Sequence, residues 1–209
     1  MTVQDPVLDE TFAAPADATR LERAAAALQE RGYTVHLVDS ADEARARVVG
    51  LLPRDTAVFT ASSQTLRQAG IAADIDESGA FVSVRRQAGD LGGDHEARIR
   101  LGGTAEVIVG SVHAVTEDGR MVVASASGSQ LAPYAAGARK AIWVVGAQKV
   151  VPDLDTALRR IRAYSLPLES RRVAEVYNQP TFIGKILILE REAMPGRGTV
   201  VLIREPIGF

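Results

Sequence analysis

The sequence predicts an α/β protein, a layered sandwich with a mostly parallel sheet flanked by helices. Short apolar segments alternate with amphipathic helical segments, an order typical of parallel strands joined by crossover helices. Three apolar segments end in loops of small and polar residues, as strands of open α/β sheets do at their ligand-binding edge. The 209 residues, 46% hydrophobic and 24% charged, suit one ordinary globular domain. We therefore assign 16–209 to a single α/β domain and the polar, proline-containing segment 1–15 to a loose N-terminal arm.

The first third of the chain supplies helices and strands in alternation. Apolar residues recur at helical spacing from Leu21 to Leu28, and Gly32 ends that helix. Ser40 and Glu43 form the capping-box pattern that begins a second helix. The predicted elements, in order, are a helix at 16–31, a strand at 33–38, a helix at 40–52, a strand at 56–60 and a helix that ends at Gly70.

The rest of the chain is richer in strands. Its predicted elements are a short strand near 81–84, a helix at 94–104, strands at 106–110, 121–125 and 141–146, and a helix that begins at Pro152-Asp153. The earlier strands are predicted to share the parallel sheet. Two late strands, at 185–189 and 199–203, are joined by a connection too short for a crossover helix. We therefore predict that these two strands pair as an antiparallel hairpin.

Composition argues against several classes of protein. The formal net charge of −2 gives no general attraction to nucleic acid or to a membrane. Cysteine is absent, so the chain can form no disulfide, no thiolate metal site and no cysteine-ligated iron–sulfur cluster. No apolar run reaches the ~18–20 residues that span a bilayer, and the first residues lack the pattern of a secretory signal. We expect a cytoplasmic protein with no metal or cofactor of its own and with neither nucleic acid nor membrane as a partner.

The first candidate binding loop lies between the strand at 56–60 and the following helix. Thr60, Ser62 and Ser63 supply hydroxyl groups there, beside the free amides of a helix start. Such amides and hydroxyls favour phosphate or carboxylate. The alternative is plain helix capping, for which serine is a preferred residue.

The second candidate loop follows the strand at 106–110. It contains Gly110, Ser111 and His113, and it continues to Glu117 in a tight turn. Histidine titrates near neutral pH, so His113 is a candidate catalytic acid or base. Glu117 is the other candidate base. The alternatives are a structural histidine and a solvated turn carboxylate.

Two further loops complete the predicted site. One carries Ser125, Ser127, Gly128 and Ser129, and its alternative role is a tight turn with capping. The other carries Gln148 and Lys149, where the lysine would neutralise an anion as a point charge or would simply be a surface residue. Because ligand crevices form at the carboxyl ends of parallel strands, we expect the candidate loops to line one pocket.

The middle of the chain resembles the LUD-domain family, the lactate-utilisation proteins. The matching runs are VIVGSVHAVTEDG, MVVASASGSQ and VVGAQKVV. The family branch typically shows N-A-I-T-x-D-G, D-G-x-G-N-R and V-V-G-x-N-K-I-V at these places. His113 therefore stands where the family usually has asparagine, and Ser127-Gly128-Ser129-Gln130 replaces Gly-Asn-Arg. The resemblance implies the fold of ribose-5-phosphate isomerase, glucosamine-6-phosphate deaminase and the CoA transferases.

The resemblance and the loops together support three interpretations. The first is a protein that binds a small anionic ligand, phosphorylated or carboxylate, with a link to lactate or organic-acid utilisation. The second is an isomerase- or transferase-like enzyme that uses His113 or Glu117. The third is a non-catalytic subunit that works with an iron–sulfur partner protein, as some family members do in lactate oxidation. Assembly as a homo-oligomer is also left open.

Overall fold

The computed structural model describes residues 8–90 and 95–209. Its strands are β1 (Thr34–Val38), β2 (Ala57–Thr60), β3 (Val82–Ser83), β4 (Val107–Gly110), β5 (Ala114–Thr116), β6 (Met121–Ser125), β7 (Lys140–Gly146), β8 (Val150–Val151), β9 (Lys185–Leu189) and β10 (Gly198–Ile203). Its helices are α1 (Ala18–Glu30), α2 (Ala41–Leu51), α3 (Gln64–Gln68), α4 (Ile71–Asp76), α5 (Val84–Gly89), α6 (His95–Gly103), α7 (Leu154–Arg160) and α8 (Leu166–Tyr177). A π-helical segment, Ile161–Ser165, joins the last two helices.

The main sheet confirms the predicted fold class. Among the described residues it contains six strands in the order β1-β10-β7-β4-β2-β3, and every neighbouring pair is parallel. The central strands are buried on both faces, which explains their continuous apolar sequences. Successive residues point to opposite faces. Trp143 thus joins the core on the α1 side, whereas Ile142 and Val144 join the core under α2 and α4.

A second, mixed sheet packs beside the first. Within the described ranges it has four strands in the order β8-β5-β6-β9. β5 and β6 form an antiparallel hairpin, β6 pairs antiparallel with β9, and β5 pairs parallel with β8. Its apolar face, with Val122 and Ala114, packs against Ala157 of α7 and Ile161 of the π-helical segment. This arrangement brings α7 behind the loops that follow β4 and β7.

Two strand assignments from the sequence were wrong. The late strands do not form a hairpin: β10 lies in the centre of the main sheet, parallel to β1 and β7, and β9 is the edge strand of the second sheet. The strand at 121–125 belongs to the second sheet and not to the parallel one. The short connection between β9 and β10 needs no crossover helix, because the two strands belong to different sheets.

Other expected elements are present with shifted bounds. The hydroxyl of Ser40 accepts the Glu43 amide at 3.2 Å, but the Glu43 carboxylate accepts the Asp39 amide at 3.0 Å, so the capping box is displaced by one residue. At the end of the segment expected to be a loose arm, Phe12 is buried and the Asp9 amide donates to the Ala163 carbonyl at 2.8 Å. Residues 1–7 and 91–94 lie outside the described residues. Among those that are described, no helix is both long and apolar enough to span a bilayer.

Candidate functional site

A pocket of about 560 Å³ opens where the loops after β2, β4, β6 and β7 meet. β2, β4 and β7 are parallel, so their carboxyl ends share one edge of the main sheet. The segment 181–183, between α8 and β9, borders the opposite side. Most residues of the predicted site line this pocket: Thr60, Ser62, Ser63, Ser111, His113, Ser125, Ser127, Ser129 and Lys149.

Other residues of the predicted site do not line the pocket. The Glu117 carboxylate accepts hydrogen bonds from Arg20 at 2.6 Å and from Arg23, and it thereby ties α1 to the β5–β6 turn. Gln148 is buried, and its amide donates to the Ile207 carbonyl at 2.9 Å and to the Gly208 carbonyl at 2.8 Å. Glu117 and Gln148 therefore fix neighbouring segments outside the pocket.

The two glycines of the predicted site have backbone roles. Gly110 packs so closely under Tyr134 that a Cβ there would lie 1.6 Å from the phenolic oxygen. Gly128 has a φ of +88°, the left-handed conformation that favours glycine in tight turns. Both glycines shape loops whose neighbouring residues line the pocket.

Several pocket hydroxyls also stabilise their own loops. Ser63 accepts the Leu66 amide at 3.3 Å, the capping role that was the alternative for this loop. Ser125 accepts the Gly128 amide at 2.9 Å, and Ser127 accepts the Ser129 amide at 3.3 Å. Capping and pocket lining thus occur together, because each hydroxyl still has hydrogen-bonding capacity after its loop contact.

His113 lies in the pocket wall with a fixed tautomer. Its Nδ1 accepts the Ala124 amide at 3.1 Å, so the neutral ring carries its proton on Nε2. Burial, together with the positive charges of Lys149 and Arg160, lowers the pKa of His113 well below its ordinary value. At neutral pH the side chain is therefore an uncharged N–H donor.

Lys149 is not the surface lysine that the sequence left as an alternative. It is only 2% exposed, and its ammonium nitrogen bonds the Thr65 hydroxyl at 2.8 Å and the Ser111 hydroxyl at 3.0 Å. Burial, helped by the charge of Arg160, lowers the pKa of Lys149 well below its ordinary value. The local environment therefore disfavours the charged form of Lys149 relative to that of an exposed lysine.

Arg160 is a site feature that sequence reasoning missed. The side chain is fully buried on α7, and it donates to the His113 carbonyl at 2.5 Å, the Gln148 carbonyl at 3.2 Å and the Ser165 hydroxyl at 3.1 Å. Burial lowers its pKa to about 10, so it stays charged at neutral pH. In the described part of the chain, its Nη2 has no hydrogen-bond partner and no carboxylate forms an ion pair with it. The sequence contained one signal for the burial of Arg160. It lies three residues after Ala157, so the two side chains share the buried face of the helix.

Charged side chains also surround the outer part of the pocket. Arg85 donates to the Thr60 carbonyl at 2.6 Å and to the Ser62 hydroxyl at 2.8 Å. Asp76 accepts the Thr60 hydroxyl at 2.6 Å, and the Arg172 guanidinium makes two bonds to the Glu169 carboxylate. Arg67 and Glu77 line the pocket as well. The charges that line the pocket are therefore mixed, whereas Arg160, which does not itself line the pocket, has no carboxylate partner among the described residues.

Comparison with known proteins identifies the family. The family model described as the LUD domain matches residues 21–203, so the chain belongs to the LUD-domain family. The structure is similar to the crystal structure of a DUF162 family protein from Deinococcus radiodurans, with a TM-score of 0.54 and 11% sequence identity over 90% of this chain and 99% of that chain. At that identity the similarity concerns the fold alone. No curated protein matches the sequence.

Metal ligation finds no support in the side-chain arrangement. Within residues 8–90 and 95–209, no group of three or more histidine, cysteine, aspartate or glutamate side chains is placed to hold a metal ion. The pocket offers hydrogen-bond donors, a neutral imidazole, a buried amine and guanidinium groups, together with the carboxylates of Asp76, Glu77 and Glu169.

Proposed function

We propose that this LUD-domain protein binds a small anion, a carboxylate or a phosphate, in the pocket at the edge of its main sheet. The observation that carries the proposal is the buried Arg160. A buried charge is normally paired, because an uncompensated one is costly in a medium of low dielectric constant. In the described structure Arg160 contacts carbonyls, a hydroxyl and the face of the Tyr164 ring, 4.9 Å from its centroid, but no carboxylate. An anion in the adjoining pocket would supply the missing negative charge.

The position of Arg160 supports this assignment. Its hydrogen bonds go to His113, Gln148 and Ser165, and two of these, His113 and Ser165, line the pocket. Its charge also lowers the pKa values of both His113 and Lys149, which indicates that all three groups share one electrostatic environment. This environment is positive on balance, so it favours a negatively charged ligand.

Neutral donors can add specificity to this attraction. The Nε2–H of His113, the amine of Lys149 and the hydroxyls of Ser62, Ser127 and Ser129 all belong to the pocket wall. Hydrogen bonds to a charged acceptor are stronger than those between neutral groups. Membership of the LUD-domain family makes organic acids, such as hydroxy acids, the first anions to test, and a pocket of about 560 Å³ has room for them.

The test is a binding screen followed by calorimetry on matched variants. Thermal-shift measurements with inorganic phosphate, sugar phosphates, hydroxy acids, acyl-CoAs and folates would select the best anion. Arg160→Met should weaken its binding by roughly tenfold to a hundredfold, which corresponds to the loss of a charge-assisted interaction. Arg159→Met, the exposed neighbour on the same helix, is the control and should bind as the unaltered protein does.

A second variant separates loss of charge from loss of structure. Arg160→Lys keeps a cation but cannot make all the bonds of the guanidinium, so its affinity should lie between those of the unaltered protein and Arg160→Met. Circular dichroism would verify that each variant is folded. If folded Arg160→Met bound every anion as well as the control, the charge would be irrelevant to binding and the proposal would fail.

An enzyme remains the second candidate, because His113 lies in the pocket with one ring nitrogen available. Its neutral state at neutral pH suits a hydrogen-bond donor that polarises a substrate carbonyl through Nε2–H. Conversion of a hydroxy acid or a sugar phosphate by the purified protein, lost in His113→Gln, would favour this candidate. Binding of the same compounds without conversion would favour the binding protein.

A further inference from the structure

We infer that Lys149 is a nucleophilic lysine that forms an imine with a ligand carrying both an anionic group and an aldehyde or ketone, such as a small 2-oxo acid. This inference rests on the proposed anion site and names the class of ligand for it. It assigns to Lys149 a covalent role in place of a simple charge.

The first argument is the contact geometry of the amine. The Lys149 side chain is almost fully buried, yet it belongs to the pocket wall. Its described hydrogen bonds go to the hydroxyls of Thr65 and Ser111, at 2.8 and 3.0 Å. A buried lysine is ordinarily paired with a carboxylate, and in the described chain no ion pair includes Lys149. Hydroxyl groups can serve either state of the amine, because they donate as well as accept.

The second argument is the charge of the surroundings. Arg160 lies on the far side of the same wall and stays protonated, so it disfavours a second positive charge nearby. Burial acts in the same direction. Both effects lower the pKa of Lys149, burial more than the charge of Arg160, so a larger fraction of this amine is in the unprotonated, nucleophilic form than in an exposed lysine.

The third argument is that the other groups needed for the reaction line the same pocket. The Lys149 nitrogen would attack the carbonyl carbon, and the π electrons of the carbonyl would move to its oxygen, which takes up a proton. The carbinolamine then loses water to give the imine, so the net reaction of amine and carbonyl is imine plus water, without oxidant or reductant. The Nε2–H of His113 lines the same pocket and is the candidate donor for the developing oxygen, and the Ser111 hydroxyl, which now donates to the Val112 carbonyl at 3.3 Å, is a second one. The carboxylate of a 2-oxo acid would offset the charge of Arg160.

The competing explanation is structural. Lys149 connects α3, through Thr65, to the loop after β4, through Ser111, and such a bridge could serve packing alone. A structural lysine would be shielded by these contacts and would react with a carbonyl compound no faster than any other lysine. Reactivity is therefore the property that separates the two explanations.

The chain offers an internal control, because it has only three lysines. The full-length protein would be incubated near neutral pH with glyoxylate and sodium cyanoborohydride, which reduces an imine to a stable amine. Intact mass and peptide mapping would locate the product. Apart from the α-amino group of the chain, which peptide mapping separates, we expect one reduced lysine adduct, on Lys149, ahead of any on exposed Lys185 or on Lys140, and we expect its complete loss in Lys149→Met and Lys149→Arg. Lys185→Met should be labelled as the unaltered protein is.

Further probes distinguish failure of the inference from failure of the anion site. Glycolaldehyde, which has a carbonyl but no carboxylate, should label Lys149 more slowly than glyoxylate does. Acetate, which has a carboxylate but no ketone or aldehyde, should slow the labelling by glyoxylate. If acetate and glyoxylate bound by calorimetry but no adduct formed on Lys149, the imine would be refuted and the anion site would stand. If Lys149 were labelled equally by both aldehydes and acetate had no effect, the reactive amine would stand without the anion site, and the proposed ligand class would fall.

Discussion

The buried ion pair of Arg197 and Glu192 allows a direct test of how this fold stabilises a buried charged side chain. Arg197 precedes β10, and its side chain is only 4% exposed. Its guanidinium donates to the carbonyls of Ala138 at 2.8 Å, Pro133 at 2.9 Å and Tyr134 at 3.0 Å, and it pairs with the Glu192 carboxylate, which is 7% exposed. One side chain therefore holds the π-helical turn 133–137 and the chain before β10 against the centre of the main sheet.

Replacing Arg197 by methionine should cost about 3–5 kcal/mol of the free energy of unfolding, the range for removing one partner of a buried ion pair. The change leaves a buried carboxylate without its cation and buried carbonyls without a donor, and methionine can recover only the packing of the aliphatic stem. Urea denaturation would measure it as a lower midpoint with an unchanged slope. Arg139→Met removes a pair whose arginine is 77% exposed and should cost only ~0–1 kcal/mol.

A double variant tests the reasoning behind that figure. If the unpaired carboxylate causes most of the loss, Arg197→Met combined with Glu192→Met should be more stable than Arg197→Met alone, since an apolar pair can replace a buried ion pair. If the double variant were no more stable than Arg197→Met, the lost hydrogen bonds to the backbone carbonyls would account for the decrease in unfolding free energy. A loss below about 1 kcal/mol for Arg197→Met would contradict the assignment of a buried, stabilising pair altogether.

Two further predictions concern the β5–β6 turn and the close contact behind the pocket. Burial raises the pKa of Glu117, but hydrogen bonds and charge from the two paired arginines of α1 outweigh it, so the net pKa lies below the ordinary 4.5. The ion pairs should therefore stabilise the fold above pH 4.5, and this stabilisation should be lost as the pH falls through the lowered pKa of Glu117. Glu117→Gln removes the titrating group, so it should reduce the difference in unfolding free energy between neutral pH and about pH 3. Gly110→Ala should destabilise by ~1–3 kcal/mol, because its Cβ would overlap Tyr134. Gly50→Ala, at a helical position with open space, should instead stabilise by up to ~1 kcal/mol, and equal effects at the two glycines in thermal unfolding would contradict the packing argument.

The position of the pocket was predictable from the local sequence pattern, because the carboxyl ends of parallel strands lie at one edge of their sheet. Strands β2, β4 and β7 are short apolar runs followed by small polar residues, and the helices between them indicate parallel pairing. Parallel strands bring their carboxyl ends to one edge, so Ser62, Ser111 and Lys149 had to come close together once the strands were assigned. The serine-rich loop after β6 also lines this pocket. The rule for parallel strands does not explain its position, because β6 belongs to the second sheet.

The pairing of the late strands could not be predicted in the same way. KILIL in β9 and TVVLI in β10 are equally apolar, and the connection between them resembles a hairpin loop. The burial differs sharply: all residues of β10 are buried between β1 and β7, whereas β9 is an edge strand with exposed residues. This difference depends on which strands lie on either side in the folded sheet, information that is not present in either segment.

The charge states of the site residues could not be predicted from the sequence either, and they bear on which ligands the pocket could bind. A net charge of −2 says nothing about a local binding site, and a lysine in a loop suggests a point charge. The structure adds a second cation, Arg160 on a helix, which stays charged at neutral pH, and it buries the loop lysine among hydroxyls, where its pKa is lowered. In the proposed function and the inferred imine chemistry, the charged Arg160 and the Lys149 amine would divide two tasks, attraction of an anion and attack on a carbonyl. A single exposed lysine could not perform both, because the proton that attracts the anion also occupies the lone pair that would attack.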